Sequence, residues 1–186
     1  MLTHVNLLLR APKEVARRCR RGQGPCSPAL CSLAATAAGG AVFGGVIGTY
    51  RGGSQIALAA IKVPLAILAA LALSAPAYYA LAAVLGRPWS MRTVLSLALT
   101  SAARASLLLL AFAPVLWLAY DLGVSYHSAA LAAACAYAVA GLAACRLLLA
   151  GLGPGSGRLV TAGGFALVFF VLAGQTAWSL RPYLVR

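Results

Sequence analysis

Five stretches of this chain are so long and so continuously apolar that lipid, rather than water, is the solvent they fit. They fall at about 29–50, 56–85, 93–121, 127–150 and 159–180. A helix rises 1.5 Å per residue, so about 20 apolar residues cross the hydrocarbon layer of a bilayer. The chain has 186 residues, of which 62% are hydrophobic and 9% charged. Soluble domains carry about 25% charge, and a soluble chain of this length encloses too small a core to hide so much apolar surface. The expected fold is all-α, a polytopic transmembrane helix bundle of five spans. Residues 1–28 form a basic head at the cytoplasmic or membrane surface, and residues 29–186 form the transmembrane domain. The first apolar stretch is not expected to be a cleaved signal, because 28 residues precede it and further spans follow. Short connections imply antiparallel neighbours.

Charge sets the expected orientation. The chain has 15 Lys+Arg against two acids, Glu14 and Asp121. Six of the bases lie in one run: Arg10, Lys13, Arg17, Arg18, Arg20 and Arg21. In a soluble protein such a run would suggest nucleic acid. Beside a membrane span it holds that end in the cytoplasm and touches anionic lipid headgroups, so no nucleic-acid partner is expected. With the N-terminus inside, Arg87, Arg92, Arg146 and Arg158 fall on the cytoplasmic side, and only Arg51, Arg181 and Arg186 fall outside. Tyr50, Trp117, Tyr120, Tyr126, Trp178 and Tyr183 would form an outer aromatic belt, with Trp89 at the inner interface. An N-in, C-out arrangement follows.

Span one contains "GGAVFGGVIG". Gly40, Gly44 and Gly48 are spaced four apart, which makes a flat strip where another backbone can approach closely. The strip serves either packing against span two or five, or association of subunits.

Span two carries Lys62 in an otherwise apolar run, about 10 Å from the outer end, with helix-breaking Pro64 and Pro76 close by. The prolines predict a kinked helix. Lys62 either meets Asp121 at the outer end of span three or snorkels alone. Arg104 lies about 18 Å into span three from Arg92. No acid of this chain reaches it, so it needs carbonyls, water, a lipid phosphate, an anionic solute or another protein's carboxylate. Alternatively, residues 90–104, with their polar stripe of Thr93, Ser96, Thr100, Ser101 and Arg104, lie along the interface, and the span starts near Ala105. Gln175 places one more hydrogen-bonding group in the last span, and Trp178, Arg181 and Tyr183 read as an interfacial anchor.

Motifs for catalysis are missing: there is no H-E-x-x-H, no G-x-S-x-G and no phosphate loop. Two acids and two histidines leave few groups for acid–base work. The five cysteines form no C-x-x-C and read as reduced and structural. No catalytic residue, metal or cofactor is expected.

The order of "GTYRGG", "KVPL", "LGRPWS" and "QTAWSLRPYL" resembles a class of small bacterial integral membrane proteins of uncharacterised role. Five spans behind a cytoplasmic head are also similar in outline to the Yip1-like membrane proteins. The resemblance implies a bacterial inner-membrane location and a five-helix bundle, with no activity attached. The expected function is a non-catalytic membrane-embedded subunit or scaffold, packed with copies of itself or an acid-bearing partner. The alternatives are a channel or small permease, more suited to anions, with Lys62 and Arg104 facing the route, and an enzyme acting on lipids.

Overall fold

A computed structural model describes residues 6, 14–15, 27–50, 52–84, 86, 89–152 and 158–179. Among them are five long α-helices and no strand. They are α1 (Ser27–Thr49), α2 (Gln55–Val84), α3 (Met91–Asp121), α4 (Tyr126–Leu152) and α5 (Arg158–Ser179). Each lies within two residues of the stretch read from hydropathy. Ala29–Thr49, Gln55–Val84, Met91–Asp121 and His127–Gly151 are long and apolar enough to cross a membrane. In α5 the apolar helical segment Leu159–Val168 is shorter.

Local chemistry sets the helix ends. Ser90 caps α3 by accepting the Thr93 amide on its Oγ at 3.3 Å, and Ser125 does the same for Ser128 ahead of α4 at 3.4 Å. Gly86 and Gly123 follow α2 and α3 with φ of 68° and 73°, a left-handed conformation that costs a residue without Cβ little.

Helix α1 packs on both α2 and α3. Helices α2, α3, α4 and α5 form a ring in which each packs on the next, and the α4–α5 seam is the thinnest. One core cluster centres on Tyr78, Val94, Leu97, Leu147 and Phe165, towards the Trp89 end. The other centres on Phe43, Leu109, Leu116 and Ala140. Val15, from the basic head, is buried in the first cluster. Large side chains such as Leu65, Val115, Leu142 and Leu167 point outward, as they do where lipid is the solvent.

Helix α2 includes both Pro64 and Pro76: a proline removes one backbone donor, and neighbouring helices hold the rest of the ladder in place. Helix α3 is one element from Met91, with Val94 and Leu97 each 1% exposed inside the bundle. Residues 91–104 are therefore continuous in one helix with residues 105–121.

Candidate functional site

Small side chains leave a gap inside the ring. A cavity of about 580 Å³ lies between the helices and takes wall residues from all five. Its length can be read on α2, where lining residues run from Lys62 to Tyr78; sixteen residues of helix span about 24 Å. The slot exists because Ala66, Ala70, Ala98, Ala102, Ala140 and Ala144 supply much of the wall, and none fills the space that a leucine would. At the far end from Lys62, the Tyr78 and Phe165 rings stack at 4.5 Å. Lys62 is the one charged residue among the described residues of the wall.

Lys62 and Asp121 are not brought together. Asp121 is exposed at the end of α3 and makes no ion pair among the described residues. The lysine instead stands on the slot wall, half-buried. Near Asp121 the rings of Tyr50 and Tyr120 meet edge to face at 5.3 Å.

Arg104 faces elsewhere. At about 100° per residue, the slot-lining positions Ala98, Ala102, Ala105 and Leu109 share one side of α3, and Arg104 is turned away from it. Its Nε and Nη1 are buried with no hydrogen-bond partner among the described residues. Arg146 of α4 lies close enough to act on it electrostatically. The two arginines therefore stand within electrostatic range of each other across the α3–α4 seam. That proximity was legible in principle: α3 and α4 form an antiparallel hairpin around the turn at 122–125, and the two residues stand at similar distances from it.

The hydroxyls of the α3 stripe bond within their own helix. Ser96 donates to the Thr93 carbonyl at 3.0 Å, Thr100 to that of Ser96, and Ser101 to that of Leu97 at 2.9 Å. Hydroxyls bonded back to their own helix ask nothing of a passage. Ser106 differs: it is fully buried, lines the slot, and its Oγ has no partner among the described residues.

The glycine strip is used within the chain. A Cβ at Gly40 would stand 3.2 Å from Pro64, one at Gly44 would strike the Ala59 carbonyl, and one at Gly48 would lie 2.7 Å from the Gln55 oxygen. All three glycines are buried against α2, so this strip is closed to a second subunit. Gly39 does the same towards Ser106 of α3. Gln175 and Trp178 lie in α5 with side chains outside the described set, and Arg17, Arg18, Arg20, Arg21 and Arg181 lie outside the described residues. Cys31, Cys135 and Cys145 are free thiols; Cys19 and Cys26 lie outside the described residues.

No family model, no curated protein and no solved structure matches this chain.

Proposed function

We propose that this multi-pass membrane protein is a non-catalytic, membrane-embedded subunit that docks an acid-bearing membrane partner against its α3–α4 seam. The observation that carries this is the Arg104–Arg146 pair, with two Arg104 nitrogens buried and unpartnered among the described residues. A cation at this depth costs a few kcal/mol unless something meets it. Neither acid of the chain does so among the described residues: Asp121 lies at the other end of α3, and Glu14 forms no ion pair with Arg104. A carboxylate from a neighbouring helix, of another protein or of a second copy, answers that need.

The N-in, C-out arrangement, a fifth crossing by α5 and a bacterial inner-membrane location belong to the same reading, as do anionic headgroups around the basic head. A permease has less support. The slot wall is almost wholly apolar, Arg104 faces away from it, and Ser101, the stripe residue on the wall, donates to its own helix.

The test is native mass spectrometry of the protein extracted into nanodiscs, with co-purifying chains identified. A stoichiometric partner with an acid in a membrane span is expected, released by Arg104→Gln and weakened by Arg104→Lys. Neutralising that acid must release it too. A clean monomer from the wild type overturns the reading.

A further inference from the structure

We infer that the interior slot binds one single-chain anionic amphiphile, with its head at Lys62 and its hydrocarbon tail running towards Tyr78 and Phe165. Shape is the first argument. The slot is narrow and elongated, about 24 Å along α2, which exceeds the ~15 Å depth of one leaflet of a ~30 Å hydrocarbon layer. A compact solute would leave most of that length empty, whereas an extended chain fills it.

The second argument is chemical. The wall is built of alanines, leucines and aromatic rings, and water gains little there because a water needs two to four polar partners. A slot with one cation at one end is complementary to a molecule with one anion at one end. Carboxylate and phosphate monoester heads both qualify, since an ammonium binds either as a point charge.

The third argument is access. The seam between α4 and α5 is the thinnest in the ring. At one point only the edge of the Phe170 ring faces Gly141, where an added Cβ would lie 3.8 Å from it. Phe170 is itself 62% exposed. A chain already dissolved in the bilayer can enter there sideways, without its head crossing the apolar wall.

This inference stands apart from the proposed partner at Arg104, which faces another side of α3, and it is tested on the isolated protein. The full-length chain is placed in phosphatidylcholine nanodiscs and titrated with hexadecanoate, hexadecyl phosphate and hexadecanol. Each probe carries a diazirine at the tail end. Expected are crosslinks near Tyr78 and Phe165, and charged probes binding about tenfold tighter than the alcohol, the difference one charge-assisted contact makes. Lys62→Gln should remove that tenfold and leave the alcohol unchanged, and Lys62→Arg should keep it. Preference for one head over the other separates a fatty-acid ligand from a phosphorylated one, and either supports the inference. Filling the slot with Ala144→Phe, or with Ala66→Phe if the first does not fold, should abolish all three. Equal binding of charged and neutral probes, crosslinks only on outward residues such as Leu167, or labelling that survives a folded filled variant overturns it.

Discussion

At the scale of single residues, the bundle combines very close contacts with a few unsatisfied groups. Gly44→Leu should destabilise the protein by about 1–3 kcal/mol, because even its first carbon would press on the Ala59 backbone, which cannot move aside as a side chain tip can. Thermal unfolding in detergent measures this. Ser106→Ala should do the reverse, raising stability by up to about 1 kcal/mol, since it deletes a buried hydroxyl with no partner among the described residues. Thr100→Val, at a hydroxyl bonded to its own helix, should change little. Arg104→Gln gives opposite signs in two states. Without a partner it should stabilise the chain by roughly 1–2 kcal/mol, by removing an unmet charge. In the proposed complex it should destabilise, because the partner's acid is then left alone. Unfolding midpoints with and without the partner decide between them. Which residues carried charge at depth was plain from the sequence. That Lys62 turns into a cavity and Arg104 away from it was not, because each helix is apolar on nearly every side and no polar face marks its rotation.

Among the elements, α1 is held most firmly, seated on both α2 and α3 through glycines that bring backbones together. Helices α4 and α5 are held least, sharing the thinnest seam. Hydrogen exchange in nanodiscs should therefore show α1 amides as the slowest and those of α4 and α5 as the first to open, since local stability follows local packing. Equal protection of α1 and α4 would contradict this ranking. The existence and ends of all five helices were readable, since apolar length, Ser90, Ser125, Gly86 and Gly123 are local signals. The seat of Pro64 was not, because what packs around a proline comes from another helix, and here Pro64 sits against Gly40.

For the molecule as a whole, the open quantity is orientation. In a cysteine-free background, Ser90→Cys should label only from the cytoplasmic side of sealed vesicles, and Ser54→Cys and Ser125→Cys only from the other, if basic residues hold the N-terminal end inside. Labelling of Ser90 from outside would invert the arrangement. The slot is a property at this scale too. It is assembled from five helices spread between Ile47 and Phe170, and no window of sequence contains it.

The sequence by itself determined the solvent, the all-helical class, the helix boundaries and the scarcity of acids, because length and hydropathy are local and the bilayer imposes one thickness on every span. Tertiary structure alone decided that the glycine strip closes on α2, that Val15 enters the core, that Arg104 turns away from the slot, and that alanines from separate helices leave a slot with one lysine on its wall. The physical reason is that lipid makes hydrophobicity nearly uniform around each helix. The choice of neighbours then passes to side-chain size and shape, which act only between surfaces already in contact.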